Sequence, residues 1–306
     1  MAFLKAFGAI SVLLFAAAFA AAVEAGPALE ARAAHLQCTI DFSKGVATDL
    51  MAAVPQAAAL QTQLDKLDSD AAQLQSLASS GNASAFNSFV FSTLRLDVAA
   101  ANLAIVGERV KFGQYGVSAE TRSATRGQFT ARRAAFSSCN SNAVVTAGRT
   151  KVAYMNSELS RWEGIASDLA SKGADNAALL ALVGQARTNI VSPLQAAVDS
   201  GDATGVEAAL RQYCLADGCM LGSNFHFYAK ANIARLNAIA DAFEANATSP
   251  AGSRVASVRS KLAEAQAALD RVGSAQYSGG QKAEVWNAIA AAREQLRMLF
   301  REMKRG

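Results

Sequence analysis

Apolar residues recur at alternating three- and four-residue steps over much of the chain, a spacing that gathers them on one stripe of an α-helix and requires a neighbour to bury it. One seam runs through Leu60, Leu64, Leu67, Ala71, Leu74 and Ala78, and a second through Val145, Gly148, Val152, Met155, Leu159, Trp162, Ala166 and Leu169. The step returns in Phe225, Ala229, Asn232, Leu236, Ile239 and Phe243, in Val255, Val258, Leu262, Ala265, Leu269 and Val272, and in Val285, Ile289, Ala292, Leu296, Leu299 and Met303. Short polar breaks separate the seams: 79–82, 171–175, 200–202, 247–252 and 273–280. In the first three, a glycine (Gly81, Gly173, Gly201) supplies a left-handed C-terminal cap, and the Asn or Asp that follows caps the next helix.

The pattern predicts helices over 46–79, 83–111, 118–138, 142–171, 175–199, 203–215, 223–246, 253–272 and 281–304. Pro55 and Pro193 should kink or restart theirs, with Ser192 as a fresh N-cap. The expected fold is all-α: elongated antiparallel helical hairpins, or a helical bundle with coiled-coil-like seams. A helix of about 30 residues would span roughly 45 Å. The expected organisation is a signal peptide at 1–25, a loose lead-in at 26–45, and helical-hairpin regions at 46–171 and 172–306. Residues 74–83 match 194–203 at five of ten positions, consistent with a duplicated hairpin or with shared alanine-rich composition.

Composition reinforces the helical reading. Of the residues, 52% are hydrophobic but only 7% aromatic, and there are four prolines, so helix propensity is high and a β-rich fold is excluded. The leader changes the picture further. Lys5, the apolar run from Ala6 to Ala22 and Val23-Glu24-Ala25 before Gly26 have the form of a cleavable export signal. Its alternative is an uncleaved N-terminal anchor, because the run approaches the lower limit for a membrane span; no other segment is expected to span. A secreted or extracytoplasmic location follows, and with it an oxidising setting for the four cysteines.

Charge is informative locally. The net charge is +4, but Arg109–Lys151 carries eight basic residues against Glu120 alone. Arg122, Arg126 and Arg133 share one helical face, with Arg132 beside them, and form a candidate surface for an anionic glycan, a lipid headgroup or an acidic partner. The competing reading is a solvated face that complements acidic neighbours. Nucleic acid is not expected.

Among the cysteines, proximity favours Cys214 with Cys219, clamping an Ala-Asp-Gly elbow, which leaves Cys38 with Cys139; antiparallel helices could place that second pair at opposite ends. A metal site from Cys214, Cys219 and His226 is the sharper alternative, although the spacing does not suit a zinc knuckle. No nucleophile elbow, metalloprotease or phosphate-loop motif occurs, and no cofactor is expected. Asn82 and Asn246 head glycosylation sequons at expected turns. The sequence therefore leads to an exported, non-enzymatic helical protein acting as a scaffold, spacer or binding surface for a protein or cell-surface partner. A small-ligand or metal carrier built on the 213–228 elbow is the alternative.

Overall fold

The computed structural model describes residues 27–171, 173–217, 225–246, 252–271 and 279–303. Among these the regular structure is entirely helical. The protein is an all-α helical bundle, and its chain divides into two compact units at Lys151/Val152, with Ser200–Ala203 grouped in the first.

In the first unit, α1 spans Pro27–Ala53. The expected loose lead-in at 26–45 is therefore helical from Pro27. Its seam is regular: Leu29, Ala33, Leu36, Ile40, Ala47 and Leu50 are all buried. The other side is covered too, with Cys38, Phe42 and Val46 buried. A helix apolar on several faces is a core helix, and the polar residues among these positions, Thr39 and Ser43, hide the stripe from a simple count. Ser43 donates to Asn102 Oδ1 at 3.1 Å, which lets a hydroxyl sit inside.

Pro55 ends α1 as expected. Val54 is extended, at φ −139° and ψ 90°, because the proline ring disfavours helical geometry in the residue before it. A 3₁₀ turn at Pro55–Leu60 then leads into α2, Gln61–Ser79. Gly81 takes φ +68°, and Asn82 Oδ1 accepts the Ala85 N–H at 3.0 Å to start α3, Ala83–Phe89. A π turn at Val90–Leu94 joins α3 to α4, Arg95–Val110. The three form one path on which Phe86, Phe89, Leu94, Val98, Ala101 and Ile105 face the core. After a 3₁₀ turn at Lys111–Gly113, Ser118 Oγ accepts the Thr121 N–H at 3.1 Å and opens α5.

Helix α5 runs unbroken through Ala119–Ser171, 53 residues, where the sequence suggested two helices separated near 139–141. Cys139-Asn140-Ser141-Asn142 resembles a stop-and-cap signal, but these residues are only mediocre helix formers and no Gly or Pro forces a break. The part up to Lys151 belongs to the first unit. It has a narrow inward seam of Thr125, Phe129, Phe136 and Ala143, at steps of four, seven and seven.

The second unit holds the rest of α5, in which Val152, Met155, Leu159, Trp162, Ala166 and Leu169 are buried as the seam required. Gly173, at φ +76°, closes α5, and Asp175 Oδ1 accepts the Ala177 N–H at 2.9 Å. Then come α6, Ala177–Ala186, a π turn at Arg187–Val191 and α7, Ser192–Asp199. Of the kink or restart expected at Pro193, the helix shows a distortion, the π turn just before it, and not a fresh start. Ser192 is helical at φ −62°, and its hydroxyl donates to the Arg187 carbonyl at 3.0 Å, so it satisfies the widened turn and does not cap a new helix.

Helix α8 spans Ala203–Asp217, α9 Phe225–Asn246, α10 Gly252–Arg271 and α11 Gly279–Met303. The last three pack around a single core containing Leu236, Val258, Leu262, Val285, Ile289 and Leu299. Asn232 is tolerated on the α9 seam because its Nδ2 donates to the Tyr228 carbonyl at 2.8 Å. The suggested repeat has matching local geometry: Leu74 and Leu194 are both fully buried, and Gly81 and Gly201 both end their helices at φ near +68°.

Candidate functional site

The path from Ala83 to Val110 is apolar on two sides. Its inner residues fill the core, yet Phe91, Leu96, Leu103 and Val110 are 54, 63, 73 and 79% exposed. Leu96, Leu103 and Val110 recur every seven residues, which places them on one stripe of α4. Ala99 and Ala100 are exposed between them, and around Gly107 there is open space within 4 Å of where a Cβ would sit. Isolated exposed leucines are ordinary, whereas a continuous helical stripe marks a surface that meets something other than water. The span Ala83–Gly113, 31 residues, is also long and apolar enough to cross a membrane by length and composition. This corrects the expectation that no segment beyond the leader has that property.

The basic stretch begins where the stripe ends. Glu108 is buried and accepts two charge-assisted hydrogen bonds, from Lys111 Nζ at 2.8 Å and from the Tyr115 hydroxyl at 2.6 Å. These bonds, Lys111's first, hold its carboxyl below the usual range. The Arg109 guanidinium lies 5.2 Å from the centre of the Phe129 ring. Burial, and then the charge of Arg126, depress its pKa.

Of the four arginines singled out by sequence, Arg132 has a structural task. Its Nε and Nη2 donate to Asp49 at 2.8 and 2.9 Å, a bidentate pair linking α5 to α1. Gly45 makes room for it, since a Cβ there would lie 3.0 Å from the Arg132 side chain. Arg122 donates through Nε to the Val117 carbonyl at 3.0 Å, near the start of its helix. Arg122, Arg126 and Arg133 are exposed on one flank of α5.

Cys38 and Cys139 form a disulfide whose Cα atoms are 5.8 Å apart and which closes 101 residues of sequence. Because α5 continues through Cys139 and returns antiparallel along α1, the two cysteines meet side by side and not at opposite ends. Phe42 packs against Phe129 and Phe136 just beyond them, with ring centres 5.8 and 5.3 Å apart. Sequence reasoning passed over this aromatic contact, although the 129/136 spacing was available to it.

The proposed Cys214–Cys219 bond, with Cys219 as a metal ligand, lies outside the described residues. His226 is described. It is buried at the start of α9 with its ring 5.7 Å from that of Phe225, and burial and Lys230 lower its pKa. Among the described residues no group of three or more His, Cys, Asp or Glu is placed to hold a metal ion. Nearby, the Tyr228 hydroxyl donates to Glu158 at 2.7 Å and lies 3.1 Å from that of Tyr154, while Trp162 stacks edge-on against Phe227. Burial holds the Tyr228 hydroxyl in its protonated form. This network ties α9 to α5 and needs no ligand to explain it.

Asn82, at its exposed turn, caps α3 through its side-chain oxygen. Asn246 ends α9, and the remainder of its sequon lies outside the described residues. A groove of ≈ 470 Å³ between α10 and α11 is lined by charges that pair with one another, Lys261 with Glu264 and Arg271 with Glu284. No family model, curated protein or solved structure matches this chain.

Proposed function

We propose that the protein is an exported, non-enzymatic helical protein that works as a docking surface outside the cytoplasm. The observation that carries this is the exposed stripe of α4, where Leu96, Leu103 and Val110 repeat on a face that no helix covers among the described residues. Two features support the location. The leader has the composition of an export signal, and Cys38–Cys139 is the kind of long-range bond that persists in an oxidising compartment. The stripe costs solubility without adding to the core, which favours a contact role over a passive spacer.

The test is cross-linking on intact cells with the full chain and with Leu96→Ser/Leu103→Ser. The variant should be exported with its disulfide formed and should lose the contacts that the original chain makes. An unchanged set of cross-links would count against the docking role.

A further inference from the structure

We infer that the outward face of the Ala83–Val110 path, with the basic part of α5 around Arg126 near its C-terminal end, docks on an anionic lipid surface and lies along it, resting this on the docking role proposed above. Size argues against a second copy of the chain as the occupant. From Leu96 to Val110 the stripe is about 20 Å long and one helix face, about 10 Å, wide, so it covers about 200 Å². A stable protein interface needs about 800 Å² from each partner. An apolar strip of this size is well suited to interfacial binding, in which side chains enter only the outer part of the acyl region.

Charge selects the lipid. From Arg95 to Arg133 there are seven basic residues against three acidic; Lys111 pairs with Glu108, Arg132 with Asp49 and Asp97 with Lys66, so the excess rests on Arg95, Arg109, Arg122, Arg126 and Arg133 against Glu120. Arg95 and Lys111 bracket the stripe on its own path, both exposed, and Arg126 follows Thr125, which lines a small cavity with Arg109 and Phe129 at the C-terminal end of α4. Each basic residue close to an anionic surface is worth about a five-fold gain in partitioning. Weak apolar insertion and a basic flank are the two signals that together give stable attachment.

The same residues argue against crossing. The inner face of the path fills the core of its unit through Phe86, Leu94, Val98 and Ile105, and its polar members Asp97 and Glu108 are bound to partners in that unit. A spanning helix would have to abandon all of them.

The probe is a tryptophan introduced by Leu103→Trp in the full chain, read as a difference from the unsubstituted protein, because both native tryptophans are in the second unit. Vesicles are of phosphatidylcholine alone or of equal parts phosphatidylcholine and phosphatidylglycerol, with and without bromine on the acyl chains. On the mixed vesicles its emission should move to the blue and be quenched by brominated lipid. Adding Leu96→Ser/Val110→Ser should weaken that response about tenfold. Arg122→Gln/Arg126→Gln/Arg133→Gln, or high salt, should weaken it on mixed vesicles and leave it unchanged on phosphatidylcholine.

The leader cannot mimic this result, because the signal comes from position 103. An unshifted and unquenched signal on the mixed vesicles overturns the lipid assignment. If that is accompanied by self-association that Leu96→Ser/Leu103→Ser abolishes in sedimentation equilibrium, the docking role survives with a second copy as partner. If neither response occurs and cross-links on cells are also unchanged, both readings fail.

Discussion

The two units of this chain solve the same problem with different residues. In the second, α9, α10 and α11 direct their branched apolar side chains inward and cover the gaps with alanine, and the charged residues outside pair across short distances, as Arg259 does with Asp241 and Glu244. Among the described residues, exposed large apolar side chains there are single, Leu180 and Trp286. The first unit is bound by a disulfide and an inter-helix ion pair, and it leaves a whole apolar stripe outside. Among the described residues, a covalent link and an uncovered apolar stripe occur together in the first unit, which points to a unit that bears load or contact.

The largest test of that contrast is loss of the disulfide. Cys38→Ser/Cys139→Ser should cost about 3–5 kcal/mol, since the bond closes a loop of about 100 residues in the unfolded chain. Hydrogen exchange should show the loss in α1–α4 and not in α9–α11. Uniform loss in both units would erase the distinction drawn here. The mirror experiment is Leu262→Ala, a fully buried side chain in the second unit, which should cost about 3 kcal/mol and speed exchange in α9–α11.

Two buried carboxyls in the first unit should respond to pH in opposite directions. Asp70 is 5% exposed with Oδ2 lacking a hydrogen-bond partner, and burial, then the charge of Asp97, raises its pKa against the smaller pull of Lys66. Its charged form therefore opposes folding at neutral pH, a penalty that fades as pH falls from the raised value towards the ordinary 3.8. Asp70→Asn should stabilise by about 1 kcal/mol at pH 7 in chemical denaturation, with the gain shrinking near pH 4.

Glu108 has the reverse sign. Its depressed pKa contributes stability that is complete above the ordinary 4.5 and is lost as pH drops through the folded-state value. Glu108→Gln should cost about 1 kcal/mol at pH 7 and little in strong acid. Smaller still is Arg132→Ala. Its ion pair with Asp49 is half in water, so about 0.5 kcal/mol is expected, with sensitivity to salt; a loss several times larger would mean that α5 depends on this pair as much as on the disulfide.

Much of the fold was legible in the sequence because the seams at 60–78, 145–169, 225–243, 255–269 and 285–299 carry Leu, Val and Ile at helical steps and bury most of them, with Val145, Ile239 and Phe243 half-buried and Ile233 and Ala240 taking core places on α9. The glycine caps at 81, 173 and 201 were readable for a backbone reason, since only a left-handed residue ends a helix in that way. Helix α1 was missed because a helix buried on several sides has no clean polar face. The unbroken α5 was missed because a run of Asn and Ser imitates a cap without compelling one.

The uncovered stripe was hidden for a subtler reason. Leu96, Leu103 and Val110 obey the same spacing as core residues, and periodicity cannot say which of two apolar stripes on one helix faces inward. Only the placement of α1 and α2 against Val98 and Ile105 decides that. The arginines showed the reverse problem: sequence grouped four, and the structure takes Arg132 out of the group by giving it Asp49.

The central claim, that α4 presents a bare apolar face, is tested most directly by the unfolding free energy of Leu96→Ser/Leu103→Ser. Side chains that touch only solvent should change it by less than about 0.5 kcal/mol. A loss of about 3 kcal/mol or more, the cost expected of two buried leucines, would show that the stripe is covered within the folded chain and would contradict the account.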